Sequence, residues 1–196
     1  MIKYKIQDFC LQDKFVDHDK IKSNLIDLIN LAESDVLEEK QEKWKDVIPM
    51  LINRSDWSKA NDFKRGWAKY LLPYLRNNFN RMLKEIGFEN TSTIDKVWFQ
   101  HYVKSDIHDW HIHGGNYTGV YYVKFDGVDK TQILNPFDKK LINLEAEEGD
   151  IVIFPSTVIH RCPRVTNEKL IVSFNFELGD FTNELQQYMK ESLAND

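Results

Sequence analysis

The sequence predicts an α+β protein in which a helical N-terminal part precedes an antiparallel β-sandwich or barrel. Apolar residues recur at helical spacing in roughly the first 90 residues. Beyond them, seven short segments rich in β-branched and aromatic residues follow one another, separated by turn residues and not by helices. Successive strands without intervening helices are typical of antiparallel sheets.

Two helices are predicted in the N-terminal part. Asp17 or Asp19 can cap the first one, whose apolar face carries Ile21, Leu25, Leu28, Ile29 and Ala32. The second spans residues 61–86, and its apolar face carries Phe63, Trp67, Leu71, Leu75, Phe79, Met82 and Ile86. Pro73 lies inside the second helix and predicts a kink or a break there. Because each helix is apolar on one side, we expect both to pack on the sheet.

The strands are predicted in the second half of the chain. They are residues 96–103, 117–125, 131–134, 140–144, 151–154, 158–161 and 169–177. We expect one structural domain with three parts. Residues 1–90 form a mainly helical part that packs on the core, residues 91–180 form the β core, and residues 181–196 form a C-terminal helix or tail.

Composition and charge limit the classes of partner. With 42% hydrophobic and 13% aromatic residues the chain is typical of a globular protein, and no apolar run is long enough to span a membrane. The net charge of -5 argues against a broad nucleic-acid interface. The polar start does not resemble a signal peptide, and the two cysteines, Cys10 and Cys162, suit a reducing cytoplasm better than a disulfide framework. We therefore expect a cytoplasmic protein that does not bind a membrane and for which a nucleic-acid partner is disfavoured, although a local basic groove is not excluded by the net charge.

Histidines cluster in the segment that follows the first predicted strand. Four of the six fall between His101 and His113. Residues two apart in a strand point to the same face, so His111 and His113 would present their imidazoles side by side. His160 follows a second apolar strand and could close a three-ligand face. The pattern predicts a mononuclear metal site built from these three histidines.

The spacing of the histidines leaves two questions open: whether they bind a metal ion, and which metal ion they bind. A His-x-His pair in a β-rich chain also occurs as two surface histidines or two satisfied core histidines. If the site is real, a histidine-rich set with open coordination positions suits Fe(II), and three histidines with one open position also suit zinc.

The residues around the histidines carry a more specific resemblance. They are Trp98 and Tyr102, then His111-Ile112-His113, residues 118–123 (TGVYYV), residues 149–156 (GDIVIFPS) with His160, and residues 169–176 (KLIVSFNF). In this order and spacing they resemble the Fe(II)/2-oxoglutarate-dependent oxygenases, in particular a small, prolyl-hydroxylase-like family of tailed phages and bacteria that carries His-x-His where most relatives carry His-x-Asp. The resemblance covers about the C-terminal half of the chain.

The resemblance implies a fold and a chemistry. The fold is a double-stranded β-helix, or jelly roll, with the N-terminal helices packed on one side. His111, His113 and His160 would hold Fe(II), and Lys169 would meet the distal carboxylate of 2-oxoglutarate, since a dianionic keto acid needs a fixed cation there. The expected enzyme is a dioxygenase, a hydroxylase that uses O2 and couples decarboxylation of 2-oxoglutarate to oxidation of a protein side chain or a small molecule. Most of these relatives have a carboxylate where His113 stands and an arginine where Lys169 stands.

Further residues are candidates for the same site. Ser173 lies on the strand face of Lys169 and could bind the cosubstrate where relatives use another polar residue, Tyr102 could assist it, and Asn175 could orient its near carboxylate or a water. Core packing is the alternative for Tyr102 and Asn175. Arg161 and Arg164 could receive an acidic substrate. His101 and His108 are expected beside the site or at the surface, and Asp109 is a candidate hydrogen-bond partner of a ligating imidazole.

Two other functions remain open. A cupin-type protein would share the fold and hold a metal on three histidines without 2-oxoglutarate. A non-catalytic binding module with a zinc-filled or vestigial site is the second. A nucleic-acid demethylase is disfavoured, because Lys169 and Asn175 stand where those enzymes place paired arginines and because the chain is acidic.

Overall fold

The structure is a computed structural model that describes residues 9–36, 50–52, 54–85 and 92–178. In these ranges there are two α-helices, α1 (His18–Val36) and α2 (Gly66–Lys84), and a single 3-10 turn at Trp57–Lys59. The strands are β1 (Leu11–Lys14), β2 (Met50–Leu51), β3 (Arg54–Ser55), β4 (Ser92–Tyr102), β5 (Ile107–His111), β6 (Tyr117–Lys124), β7 (Gln132–Leu134), β8 (Leu141–Asn143), β9 (Asp150–Pro155), β10 (His160–Cys162) and β11 (Lys169–Leu178). The helix or tail predicted at 181–196 lies outside the described residues.

The strands form two antiparallel sheets. The larger has the order β1-β9-β6-β11-β4-β3, and the smaller has the order β2-β5-β10-β7-β8. All the strand pairs are antiparallel, as the succession of short strands predicted. Strands β1, β2 and β3 come from the first 90 residues, so this mainly helical part also extends both sheets.

The two faces of the larger sheet pack against different partners. Strand β11 shows this by alternation: its even-numbered residues from Leu170 to Leu178 join a core cluster with α1 and α2. Ile171 belongs to a second cluster on the opposite face, together with Ile133 and Cys162 of the smaller sheet. The space between the sheets is therefore separate from the core under the helices.

The helices bury the faces that their periodicity predicted. Ile21, Leu25 and Ile29 of α1 are fully buried. Helix α2 begins at Gly66, since residues 61–65 form turns, and it continues through Pro73 without the predicted break. Pro73 lies on the solvent side, where water can satisfy the Lys69 carbonyl that loses its amide partner. In the described residues, neither helix is long and apolar enough to cross a membrane.

One close approach under the helices requires glycine. A Cβ atom added at Gly119 of β6 would lie 2.2 Å from Cζ of Phe174 on the neighbouring β11. The Phe174 ring therefore covers the backbone of β6 directly. The Phe174 side chain belongs to the core cluster that faces α1 and α2.

Candidate metal centre

Three separate parts of the chain bring the histidines together. His111 is the last residue of β5, and it pairs in register with His160, the first residue of β10. His113 lies past the end of β5, in the following loop, where its backbone N–H donates to the Ser156 carbonyl at 2.9 Å. The side-by-side placement expected from strand alternation is thus reached through a loop that is held to the end of β9.

The geometry of the three imidazoles fits a single metal ion. One nitrogen from each of the three residues lies within 4.8 Å of the other two. The Nδ1 atom of His111 is 2.6 Å from the backbone carbonyl of Asp109, and the Nδ1 atom of His160 is 2.8 Å from that of Val158. Since a carbonyl can only accept, each Nδ1 carries the proton, and the Nε2 lone pair is left for a ligand. Asp109 orients its neighbour through its backbone and not through its carboxylate.

Burial keeps the imidazoles neutral. It lowers the pKa of His113 to about 3 and that of His160 to about 4, with neighbouring histidines adding to both shifts. Burial also lowers the pKa of His111, against an opposing effect of Asp109. Neutral imidazoles are the form that binds a metal ion. The donor set and its protonation state therefore both suit a transition metal.

A fourth histidine, His108, packs against the ring of His111. The ring of His108 stacks on that of His111, with centroids 3.7 Å apart and planes inclined by 12°. Nδ1 of His108 lies 3.0 Å from Nε2 of Gln100, and the side-chain oxygen of Gln100 accepts a bond from Ser173 Oγ at 2.9 Å. These contacts link Ser173 of β11, through Gln100 and His108, to the ring of His111. Gln100 was missed in the sequence, although it shares a strand face with Tyr102 by alternation.

A cavity between the two sheets connects the histidines to the predicted cosubstrate residues. It is lined by the three histidines, Gln100, Tyr102 and Ser173, with Arg161 and Cys162 on the β10 side. Among the described residues, none of those that line it is an aspartate or a glutamate. The wall thus offers neutral imidazoles and hydroxyl and amide groups.

Lys169 is buried, with 1% of its surface exposed, and it lies behind Cys162 and is not itself among the residues that line the cavity. Its Nζ donates to the Asp129 carbonyl at 2.9 Å, lies 3.5 Å from the Sγ of Cys162, and is 4.9 Å from the Phe125 ring centroid. No carboxylate of the described chain lies within 4.0 Å of it. The Asp126 carboxylate interacts with this charge at longer range, because Lys169 contributes to the lowered pKa of Asp126. A buried ammonium with no carboxylate in direct contact is costly, and an anionic ligand would relieve that cost.

The other predicted cosubstrate residues take different positions. Tyr102 is buried and pairs in register with Lys169, and Ser173 lines the cavity while bonded to Gln100. Asn175 is buried on the same strand face, and its Oδ1 has no hydrogen-bond partner, but it is not among the residues that line the cavity.

The remaining candidates lie away from the three histidines. The Nε2 of His101 bonds to Glu168 at 2.7 Å. Arg164 is exposed and donates to the Ser105 carbonyl at 2.9 Å. Arg161 contributes to the cavity lining, but its guanidinium contacts Gln132 and Trp110, which alternate along their strands with the inward-pointing Ile133 and His111.

Comparisons with known proteins find similarity of structure only. No family model matches the chain, and no curated protein matches its sequence. A prolyl hydroxylase from Trichoplax adhaerens, solved with a peptide fragment of the hypoxia inducible factor oxygen degradation domain, matches with a TM-score of 0.64 at 13% identity, over 87% of this chain and 84% of the other. A Pseudomonas putida prolyl-4-hydroxylase matches with a TM-score of 0.55 at 15% identity, over 85% and 91%.

A third match has the same character. A viral collagen prolyl hydroxylase from Paramecium Bursaria Chlorella virus-1, solved as a 2OG complex, gives a TM-score of 0.55 at 15% identity, over 86% of this chain and 94% of the other. The two antiparallel sheets and two helices agree with a jelly-roll-like fold in these neighbours. The protein thus has the fold of the prolyl hydroxylases, and it carries a group of three histidines able to hold a metal ion.

Proposed function

We propose that the protein is an Fe(II)- and 2-oxoglutarate-dependent oxygenase, a hydroxylase whose catalytic residues are His111, His113 and His160. One observation carries the proposal: three converging neutral imidazoles line a cavity, and a buried ammonium lies 3.5 Å from the Sγ atom of Cys162, which lines the same cavity. The fold shared with prolyl hydroxylases supports the same conclusion. The larger and smaller sheets would form a double-stranded β-helix over residues 91–180, supported by the N-terminal helices.

The three histidines would hold Fe(II) through their free nitrogens. When bound, Fe(II) and 2-oxoglutarate supply oxidation of a substrate C–H bond by O2, with decarboxylation of the keto acid to succinate. The chain contributes geometry to this chemistry. The backbone carbonyls of Asp109 and Val158 hold two imidazoles in one tautomer, and the stacked His108 ring limits rotation of His111.

Lys169 would bind the distal carboxylate of 2-oxoglutarate. The ammonium is fixed by the Asp129 carbonyl and surrounded by aromatic rings, so its attraction for a carboxylate is little screened by water. Ser173 and Tyr102 would add hydroxyl contacts to the cosubstrate. Asn175 would instead hold a water, because its unpaired atom is an amide oxygen, which accepts and does not donate.

Two classes of substrate are candidates. One of the structural neighbours was solved with a peptide, so a protein side chain is a candidate, and a small molecule is the other.

Both cysteines are unpaired. The cytoplasmic location and the absence of a nucleic-acid partner remain predictions from the sequence.

An anaerobic titration tests the proposal. Metal-free protein is given Fe(II) and then 2-oxoglutarate, and the weak visible charge-transfer band of the chelate is followed. We expect a saturable band at one equivalent of iron, and succinate release when O2 is admitted. The matched variant Lys169→Met is expected to need more 2-oxoglutarate for the same band.

Two outcomes would replace the proposal. Iron binding without a band at any 2-oxoglutarate concentration would favour the cupin-type three-histidine protein. Failure to bind iron, with tight binding of zinc, would favour the non-catalytic module.

A further inference from the structure

A second cavity lies beside β4, where β3 ends and the 3-10 turn begins. It is lined by residues 57–62, together with Lys64 and Lys96. Its volume is about 690 Å³, which is within the usual size of ligand sites, and it is open to solvent. We call it the lysine groove, because Lys59, Lys64 and Lys96 are among the residues that line it.

The lysine groove meets the face of β4 that carries the metal site. Lys96 alternates along β4 with Trp98, and beyond Trp98 with Gln100 and Tyr102, which line the cavity of the three histidines. Lys96 also pairs in register with Asn175 of β11. It therefore lies on the same sheet face as the histidine cavity, at the opposite end from Tyr102.

Two tryptophans connect the groove to His113. The buried ring of Trp98 has its centroid 5.5 Å from that of the His113 ring. Trp57, which lines the groove and is 43% exposed, contacts Trp98 at a steep angle, with centroids 4.6 Å apart. The Nζ atom of Lys96 lies 5.6 Å from the Trp57 ring centroid. One indole ring thus separates the wall of the groove from His113.

The charge of Lys96 also acts on His113. Burial has the largest effect on the low pKa of this imidazole, the neighbouring histidines add to it, and repulsion by the Lys96 ammonium lowers it further. Water and salt screen such repulsion over long distances, so the ammonium lies near the metal site.

The three lysines have no carboxylate in direct contact. In the described part of the chain, no carboxylate oxygen lies within 4.0 Å of Lys59, Lys64 or Lys96. Asp62 is the acidic residue among those that line the groove, and its Oδ1 accepts a bond from the backbone N–H of Lys64 at 2.9 Å. Because three cations line the groove with one carboxylate, it attracts anions.

The placement of the charges favours an extended ligand. The lysines come from three places, the 3-10 turn, the turn before α2 and strand β4, so one small anion would not meet all of them. A nucleic acid is less well suited, because the chain carries a net charge of -5 and the Trp57 ring already contacts Trp98 and Lys96. A polypeptide with several carboxylates matches both the charge and the open shape.

We propose that the lysine groove binds an acidic segment of a protein substrate, whose oxidised side chain reaches the histidine cavity past Trp98. The substrate is then a protein with aspartates or glutamates close to the oxidised residue. The assignment of this protein as a substrate rests on the proposed oxygenase function, whereas the binding of an acidic segment rests on the groove itself.

Matched peptides test the proposal on metal-free protein. The probes are fluorescein-labelled hexapeptides in which either glutamate or glutamine alternates with alanine, and binding is followed by fluorescence anisotropy. We expect the glutamate peptide to bind about tenfold or more tightly than the glutamine peptide, with a preference that decreases as salt is added. Equal binding of the two peptides would overturn the proposal.

Two competitors examine the other classes of anion. Unlabelled glutarate and an oligothymidylate are added to the complex of the protein with the glutamate peptide. We expect both to displace it more weakly than the unlabelled peptide does. Displacement by glutarate at the same concentration as the peptide would assign the groove to small acids, and stronger displacement by the oligothymidylate would assign it to nucleic acid. Either result would contradict the proposal.

Variants identify the binding site. Lys96→Gln should weaken binding of the glutamate peptide about two- to fivefold. Replacing all three groove lysines by glutamine should weaken it about tenfold or more. The control makes the same change in net charge at three exposed lysines outside the groove, and it should bind as wild type does; these are Lys104, Lys139 and Lys140. Equal weakening in the two triple variants would assign the effect to net charge and refute the site.

The location is measured in the same complex. A nitroxide on the glutamate peptide should broaden the NMR signal of the Trp57 indole N–H more strongly than that of Trp110, which lies on the smaller sheet. The reverse order would place the peptide elsewhere and contradict the proposal. None of these measurements needs iron or 2-oxoglutarate. A missing chelate band would therefore count against the oxygenase function alone, and a missing peptide preference against the groove alone.

Discussion

The Nε2 atoms of His113 and His160 lie 3.1 Å apart, although the two residues are separated by 47 positions in the sequence. His113 is held by the carbonyl of Ser156, just after β9, and His160 by the carbonyl of Val158, two residues before its own position at the start of β10. Both restraints come from backbone groups within a few residues of β9 and β10. The antiparallel sheet therefore sets the position of the two nitrogens before any ligand binds.

Acidification should destabilise the metal-free protein. Burial lowers the pKa of His113 to about 3 and of His160 to about 4, whereas the unfolded chain titrates near 6.5. Below pH 6.5 the unfolded state gains protons that the folded state does not. The free energy of unfolding should fall by about 1.4 kcal/mol per pH unit for each group between about pH 6.5 and 4. Urea denaturation at a series of pH values measures this slope.

The variant His113→Gln isolates the contribution of one imidazole. Other groups also titrate at low pH, such as Asp56, whose pKa is raised by burial. Their contribution to the pH dependence of the unfolding free energy is the same in both proteins, so it cancels when the variant is subtracted from wild type. We expect the variant to have the smaller slope. Parallel pH profiles for the two proteins would show that His113 is not held neutral by the fold.

Replacement of Lys169 by methionine should separate cosubstrate binding from metal binding. The variant removes the charge and keeps an unbranched side chain that is one atom shorter, so we expect 2-oxoglutarate affinity to fall by about 10- to 100-fold. Fe(II) affinity should not change. Stability should be equal or higher, because a buried ammonium with no carboxylate in direct contact is removed from a site lined by aromatic rings.

Lys124 provides a matched control for this experiment. It is exposed and pairs with Glu168 at the surface. Lys124→Met should bind both Fe(II) and 2-oxoglutarate as wild type does. Equal loss of 2-oxoglutarate affinity in the two variants would assign the effect to overall charge and not to Lys169.

Asp56 should be a main determinant of stability in the N-terminal part. This buried carboxylate accepts bonds from Arg65, from Trp67 Nε1 at 2.9 Å and from the Phe99 N–H at 3.0 Å. Asp56→Ala leaves these donors unpaired and should lower the free energy of unfolding by about 3–5 kcal/mol. Asp62→Ala, at an exposed turn, should cost about 1 kcal/mol or less by the same urea denaturation. A comparable small loss for both variants would contradict the role of Asp56.

The contact between Gly119 and Phe174 should appear as a non-additive pair. Gly119→Ala forces the new methyl group into the Phe174 ring and should cost about 1–3 kcal/mol. Phe174→Leu removes the clashing atoms, so the double variant should be more stable than the sum of the single losses predicts. Thermal unfolding of the four proteins measures the interaction, and simple additivity would refute it.

Some features of the fold and the site could be predicted from patterns in the sequence, and others depend on contacts between residues that are far apart in the chain. Helical periodicity located the buried faces of α1 and α2, and the His-x-His spacing with His160 located a group of three histidines that could hold a metal ion. The helical periodicity and the His-x-His pair are local patterns. The contacts of Gln100 with Ser173 and of Arg161 with Trp110 depend on strand register, which a single sequence does not specify. The same is true of the Cys162 thiol beside Lys169.

Equilibrium binding of Fe(II) under anaerobic conditions tests the central claim most directly. We predict one iron per chain for the wild-type protein and a loss of binding in each of the variants His111→Ala, His113→Ala and His160→Ala, with His101→Ala unchanged as a control. Circular dichroism and urea denaturation establish that each variant is folded. Wild-type affinity in any one of the three folded variants would show that its histidine is not a ligand, and the three-histidine metal centre would then be wrong.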